Sequence, residues 1–134
     1  MAPDPVRAAL FAHLSADATL KGLLSGPDAI HEAKAPQGTE PPYLIFANQS
    51  PGVPLRTFGT AADRPLWLVK GVCRGESSTP AEEINARCQA LLDGEKLTIS
   101  GSLATVVREG GVSYGEESSG EDWRHRGSLF RIYV

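Results

Sequence analysis

One segment of the sequence, residues 79–94 (TPAEEINARCQALLDG), carries the signals of an amphipathic helix with both ends specified. Thr79 is a capping residue type, Pro80 suits the first helical turn, and Glu82 stands where the carboxylate of a capping box lies. Gly94 is the residue type that often follows a helix C-terminus. Apolar residues recur at helical spacing on one side only, namely Ala81, Ile84, Cys88, Leu91 and Leu92. Because strands flank the segment, we predict that this apolar stripe packs on one face of a β-sheet.

Two shorter helices are predicted at the start of the chain. Asp4 and Pro5 form a cap and first-turn pair, after which apolar residues repeat at helical spacing as far as Leu14. Asp17 restarts the pattern as the cap of a short helix over residues 18–24, and the Ser-Gly-Pro sequence that follows ends it.

Apolar runs and alternating patterns predict the strands. The clearest are residues 43–49 (YLIFANQ) and residues 66–74 (LWLVKGVCR), and the nearly continuous apolar character of the second favours a central position in the sheet. Weaker patterns cover residues 30–31, 96–99, 103–109 and 123–134. We therefore predict a single domain over residues 1–134 of the α+β class, with an antiparallel sheet of about four strands, one helix packed across it and short N-terminal helices.

Two polar segments are predicted to be loops. Residues 55–65 form a candidate interaction loop, and residues 110–122 (GGVSYGEESSGED) are so rich in Gly, Ser and acidic residues that we expect them to be mobile. The second segment and the residues after it also segregate charge: Glu116, Glu117, Glu121 and Asp122 are followed by Arg124, His125 and Arg126.

This charged segment has three interpretations. The carboxylates could serve acid–base chemistry or bind calcium, although an EF-hand spacing is absent. They could simply belong to a solvated loop. In a symmetric ring, one subunit's acidic residues could also contact the next subunit's basic strand, so Glu116, Glu117, Glu121, Asp122, Arg124 and Arg126 are candidate interface residues.

The sequence offers no recognisable reaction centre. His13, His31 and His125 lie in three separate segments without a second ligand at metal-binding spacing, and no nucleotide-binding or nucleophile motif is present. We predict that the protein is not an enzyme and that it has no cofactor or metal.

Composition limits the kinds of partner that the protein is expected to bind. A net charge of -3 at pH 7 argues against general nucleic-acid binding, which requires clustered Lys and Arg, and no apolar run approaches the length of a membrane span. Cys73 and Cys88 are predicted to be small core residues rather than a disulfide or a reactive thiol.

Four quoted stretches carry a resemblance to a known family. They are DPVRAALFAHLSADATLKGLL, AKAPQGTEPPYLIF, TPAEEINARCQALLDGEKLTISG and WRHRGSLFRIYV. Over about residues 4–134 the chain resembles the tail-completion, or tail-terminator, proteins of long-tailed bacteriophages, which also occur in prophages and gene transfer particles. The most specific parts are residues 35–43 and the helix ending Leu91-Leu92-Asp93-Gly94, followed by Leu97.

The resemblance implies a structural role in a virion or phage-like tail, assembled in the bacterial cytoplasm. Such a subunit forms a ring, typically a homo-hexamer, that caps the head-proximal end of the tail tube and ends tube polymerisation. Its partners would be the tail tube protein and a head-side stopper or connector, and DNA would pass through the ring without specific binding. No catalytic residue carries over from this family.

Two other functions remain open from the sequence. The chain could be a stopper or adaptor of the same connector. Alternatively, it could be a small enzyme or ligand-binding domain with a site assembled from Tyr43, His125 and the acidic segment. A concave cleft with convergent polar groups would favour the enzyme, whereas flat faces and exposed strand edges would favour a ring subunit.

Overall fold

The computed structural model describes residues 5–49, 55–57, 60–62 and 64–133. The helices are α1 (Pro5–Ser15), α2 (Ala18–Leu23) and α3 (Thr79–Leu92). The strands are β1 (Ile30–Glu32), β2 (Tyr43–Asn48), β3 (Leu55–Thr57), β4 (Thr60–Ala62), β5 (Leu66–Arg74), β6 (Lys96–Ile99), β7 (Ser102–Ser118) and β8 (Glu121–Tyr133).

Six of the strands form one mixed sheet in the order β1-β2-β5-β8-β7-β6. Neighbouring strands are antiparallel except for β1 and β2, which are parallel. The predicted α+β class is therefore confirmed. The predicted number of about four strands was too small, and the sheet is mixed rather than entirely antiparallel. The three-residue β1 is too short to give a clear period-two pattern, and nothing in so short a segment indicates a parallel partner.

The predicted loop at residues 110–122 is instead part of a long β-hairpin. Strands β7 and β8 pair from Thr105 and Tyr133 at one end to Ser118 and Glu121 at the other, with one register shift between Arg108 and Gly110. The loop prediction was wrong because strand formation depends on cross-strand partners, which outweigh the low intrinsic strand preference of Gly and Glu.

The second predicted loop, residues 55–65, contains a small hairpin. Strands β3 and β4 pair only with each other, so this hairpin is separate from the main sheet. Residues 58–59 and 63 of this predicted loop lie outside the described residues, as do residues 50–54, residue 134 and residues 1–4, which include the predicted cap Asp4.

Helix α3 packs on the sheet as its apolar stripe predicts. Ala81, Ile84, Cys88 and Leu92 are completely buried, and Leu91 is partly buried against the same core. Gly71 on β5 permits the close approach, because a β-carbon at that position would lie 2.8 Å from the Ile84 Cβ. Cys73 and Cys88 are both buried free thiols, and burial raises the pKa of Cys88 to about 12.

The N-terminus of α3 differs slightly from the prediction. Ser78, not Thr79, is the capping residue, and its side chain makes no capping hydrogen bond to the backbone. The Ser78 hydroxyl instead donates to Glu82 Oε1 at 3.0 Å, while Pro80 occupies the first turn as expected.

An ion pair connects α2 to α3. Asp17 caps α2 as predicted, with its Oδ2 accepting from the Leu20 backbone N–H at 2.8 Å. The same carboxylate accepts two hydrogen bonds from Arg87 of α3, at 2.9 Å from Nε and 2.8 Å from Nη2. These Arg87 hydrogen bonds lower the pKa of Asp17 to about 2, with the Leu20 hydrogen bond adding to the effect.

A second polar connection joins α3 to the sheet. The buried hydroxyl of Ser128 donates to Asn85 Oδ1 and accepts from Arg108 Nε, both at 2.9 Å.

The three helices α1, α2 and α3 lie on one side of the main sheet. The other side, called here the open face, carries none of the described helices.

Candidate interaction surfaces

The β7–β8 hairpin carries all six candidate interface residues. Ser119 and Gly120 form its two-residue turn with φ values of 54° and 78°, as a type I′ turn requires. Strand β5 accompanies β8 only as far as the pair Arg74 and Trp123. The turn and the residues next to it, called here the hairpin tip (residues 117–122), therefore extend beyond the end of β5.

Two of the four acidic residues are bound within the chain. Glu116 Oε1 lies 2.7 Å from His125 Nε2 across the hairpin. Glu121 Oε2 lies 3.4 Å from Arg74 Nη1, at the end of β5. The first contact links the two strands of the hairpin to each other, and the second ties the hairpin tip to the end of β5.

The remaining two acidic side chains are exposed. Within the described residues, the carboxylates of Glu117 and Asp122 make no ion pair or side-chain hydrogen bond, although the two residues face each other in the β7–β8 register. Adjacent like charges raise each other's energy, and a cation from another chain would relieve this repulsion. The tip therefore presents negative charge that its own chain does not neutralise.

The two candidate arginines are engaged internally. Arg126 Nε lies 3.8 Å from Glu82 Oε1 of α3, and its Nη1 donates to the His125 carbonyl at 2.9 Å. Arg124 Nε donates to the Gly75 carbonyl at 3.3 Å. Both guanidinium groups therefore stabilise the subunit itself, and the proposed pairing with a neighbour's acids remains a prediction.

An aromatic cluster occupies the open face beside the tip. The rings of Tyr114 and His125 stack with centroids 4.3 Å apart, and Lys70 Nζ lies 5.1 Å above the Tyr114 ring. Tyr43 and Trp123 extend the cluster across the sheet at 6.4 Å between ring centroids. This arrangement buries His125 almost completely.

The pKa of His125 is lowered, first by burial and then by the positive charge of Lys70, with Glu116 acting in the opposite direction. The imidazole is therefore neutral at pH 7. Its Nε2 carries the contact to Glu116, whereas Nδ1 is buried without a hydrogen-bond partner. The sequence did predict Tyr43, His125 and the acidic segment as a possible site, and the structure does bring them into one cluster.

The cluster nevertheless has the character of packed surface rather than of a cleft, because Tyr114 lies flat on His125. A wide, shallow depression of about 300 Å³ lies elsewhere, along the turn between α2 and β1. Its lining includes Ser25, Asp28, His31 and Thr39 but neither His125 nor Tyr114.

Sequence reasoning missed Lys70, Arg74 and Tyr114 as members of this surface. Lys70 lies over Tyr114, Tyr114 stacks on His125, and Arg74 binds Glu121. These contacts arise because the strand register pairs β5 with β8 and β8 with β7. The alternating pattern of β5 could have placed Lys70 and Arg74 on one face, but it could not have identified their partners.

The open face also carries exposed apolar side chains. Among the side chains that the structure describes, four of the five exposed large hydrophobic ones lie on this face by strand alternation: Leu103, Val107, Tyr114 and Tyr133. Leu103 retains 67% of its exposure. Apolar side chains gathered on one face are a common feature of protein interaction surfaces.

The described residues contain neither a membrane-spanning helix nor a metal-binding cluster. No described helix has the length and apolar character needed to cross a membrane. Across residues 5–49, 55–57, 60–62 and 64–133, no three His, Cys, Asp or Glu side chains are grouped as a metal site would require.

Solved structures share this fold. A chain from the virion of a native gene transfer agent particle superimposes with a TM-score of 0.71 and 19% sequence identity, covering 96% of this chain and 93% of that chain. A second protein, whose name gives no function, superimposes with a TM-score of 0.63 and 16% identity, covering 100% of this chain and 97% of that chain. No curated protein matches the sequence.

The sequence also matches the family described as tail completion protein gp17, over residues 8–129. This match includes α1, α3 and the whole main sheet up to Leu129 of β8. The chain therefore belongs to the tail completion protein gp17 family and is a structural component of the tail of a phage-like particle.

Proposed function

We propose that the protein forms a ring, as a homo-hexamer, that caps the head-proximal end of the tail tube. The ring ends tube polymerisation and joins the tail to the head-side connector. The family match over residues 8–129 carries this proposal, and the similarity to a chain of a gene transfer agent virion supports it.

The distribution of surfaces suits a cap. One side of the sheet is covered by helices, and the open face carries exposed apolar side chains such as Leu103 and Tyr133. A subunit with two chemically different sides can bind different partners on each side. In this proposal those partners are the tail tube protein and the head-side stopper or connector.

The charge distribution suits a ring through which DNA passes. A net charge of -3 and unpaired carboxylates at Glu117 and Asp122 give phosphates little to bind. A strongly basic lumen would retain DNA, because each phosphate contact adds salt-dependent affinity. We therefore expect DNA to pass without specific binding.

The first experiment measures the mass of the purified protein by light scattering over a concentration series, with and without purified tail tubes. We expect a species of about six times the 14.2 kDa subunit, ring-shaped in negative stain. Added tubes should bind it at one end only, and tubes growing in its presence should stop lengthening.

The outcomes distinguish a tail cap from a stopper or adaptor. A protein that stays monomeric until tubes are added, and then occupies one tube end, still supports the cap, because weak subunit contacts gain avidity on a template. Binding to the head-side connector but not to tubes would identify a stopper or adaptor instead. Failure to bind either partner would refute the proposal.

A further inference from the structure

One strand edge of the main sheet lacks a partner over most of its length. Strand β6 pairs with only the first residues of β7, from Ser102 to Thr105. The Val106 backbone N–H then donates to the Glu95 carbonyl, and the Arg108 backbone N–H donates to Asp93 Oδ1. From residue 109 to residue 118, no strand or loop of the described chain pairs with the outer edge of β7.

The hairpin turn determines which backbone groups point outward. In a two-residue hairpin the pair that closes the turn, here Ser118 and Glu121, is hydrogen-bonded, and the pairs alternate from there. The next pair, Glu117 and Asp122, is therefore not hydrogen-bonded internally, and the Asp122 carbonyl indeed accepts from the Gly75 N–H on the opposite side. Outward-pointing N–H and C=O groups on β7 belong to Gly111, Ser113, Gly115 and Glu117.

This edge lacks the usual protection against pairing. Residues 109–118 (EGGVSYGEES) contain no Pro and no Lys, which commonly block exposed edges. Three of the four outward-pointing positions have no side chain, as at Gly111 and Gly115, or a small one, as at Ser113. An extended segment can therefore approach the backbone closely and add a strand.

The opposite edge of the same sheet is formed by β1. This strand pairs with β2 on one side only, so its other side is also unpaired within the described residues. The backbone groups of Ala29 and Ala33 bond to β2, so by alternation those of Ile30 and Glu32 point to the free side, where the Glu32 carbonyl accepts from the Lys34 N–H. This edge therefore offers the N–H and C=O of Ile30 and the N–H of Glu32.

We infer that the outer edge of β7 pairs with the β1 edge of a second copy of this chain, so that the sheet continues from subunit to subunit. This inference rests on the proposed ring. The contact joins two different edges, as a heterologous contact that closes a ring must. The strand register also matches the two edges in height: Ile30 is level with Leu44, Gly71, Arg126 and Ser113 across the sheet, so the β1 edge of a neighbour at the same height meets Ser113 and Gly111.

Strand directions agree with this pairing. Following the sheet, β1 runs parallel to β2 and therefore antiparallel to β5, parallel to β8 and antiparallel to β7. A ring axis that lies roughly along the strands preserves these directions from one subunit to the next. The neighbour's β1 would thus meet β7 in antiparallel orientation, the more stable of the two pairings.

The first test removes one outward backbone donor. Ser113→Pro deletes an N–H that makes no bond within the hairpin, whereas the control Ser113→Ala keeps it. We expect Ser113→Pro to raise the concentration needed for ring assembly by about tenfold or more, because several subunit contacts each lose a hydrogen bond. Thermal unfolding of the two monomers, measured below the assembly concentration, checks that both variants are folded.

The second test acts on the opposite edge. Glu32→Pro deletes the outward Glu32 N–H, whereas the control Glu32→Ala keeps it, and both variants lose the Glu32 ion pair to Arg7. Glu32→Pro should weaken assembly about as much as Ser113→Pro does, and Glu32→Ala should leave assembly unchanged.

These outcomes distinguish the inference from the function beneath it. If the wild-type protein assembles but Ser113→Pro and Glu32→Pro assemble equally well, the edge pairing is refuted and the ring remains. If the wild-type protein neither assembles nor binds tube ends, the proposed function fails and the edge pairing fails with it.

Discussion

Replacing Asp17 by Asn tests how strongly one ion pair joins α2 to α3. The carboxylate accepts two hydrogen bonds from Arg87 and one from the Leu20 backbone N–H. Asn is as good a capping residue as Asp, so the substitution keeps the cap and removes the charged pair. The effect on stability therefore reports the pair alone.

The magnitude follows from the pKa of Asp17, which the Arg87 hydrogen bonds lower from 3.8 to about 2. A shift of this size corresponds to at most about 2.5 kcal/mol. Because 34% of the Arg87 side chain and 16% of the Asp17 side chain stay exposed, solvent screening reduces the value. We expect Asp17→Asn to lower the free energy of unfolding by about 1–2 kcal/mol at neutral pH.

The pH dependence has a definite sign. A carboxyl group whose pKa is lower in the folded state stabilises the fold fully above its unfolded value of 3.8, and this contribution is lost as the pH falls towards 2. Urea unfolding of both proteins should therefore show a difference in stability at neutral pH that shrinks between about pH 4 and pH 2. Glu83→Gln, an exposed charge change on α3, is the control. A loss of equal size at both ends of this pH range would contradict the reasoning.

Three further predictions concern packing, a buried polar group and titration. Gly71→Ala should destabilise the fold by about 1–3 kcal/mol in urea unfolding, because its methyl group would clash with α3. Gly22→Ala on α2, where nothing lies within 4 Å, should be neutral or stabilising. Ser128→Ala should cost about 1–3 kcal/mol by the same measurement, since two side chains lose their buried partner. Lys70→Met should raise the pKa of His125 in an NMR titration, because it removes a nearby positive charge, and a lower value would contradict the assigned cause.

Much of the fold could be predicted from local patterns. The cap at Asp17 and the first-turn proline Pro80 mark where helices begin, and the apolar stripe of α3 and the alternating residues of β8 show which side of each element is buried. These signals are local because capping and amphipathic periodicity act within a few residues. They sufficed to predict a helix packed on a sheet.

The candidate surfaces could be predicted from the sequence only in part. The six charged residues of the hairpin were predicted as an interface, but nothing in their spacing showed that Glu116 binds His125 or that Glu121 binds Arg74. The first pair depends on the register of the β7–β8 hairpin, and the second on the pairing of β8 with β5, which lies far away in the chain. The free edge of β7 was equally hidden, because it exists only where β6 ends.

The sequence by itself determined the elements that bury an apolar side, namely the three helices and the strands at residues 43–48, 66–74 and 123–133, together with the family to which the chain belongs. Only the tertiary structure decided that residues 110–122 form a hairpin, which strand edge stays unpaired, and which charges are neutralised. The physical reason is that burial of apolar side chains is encoded by local periodicity, whereas a polar, glycine-rich strand acquires its backbone hydrogen bonds only from a neighbour placed beside it by the rest of the fold.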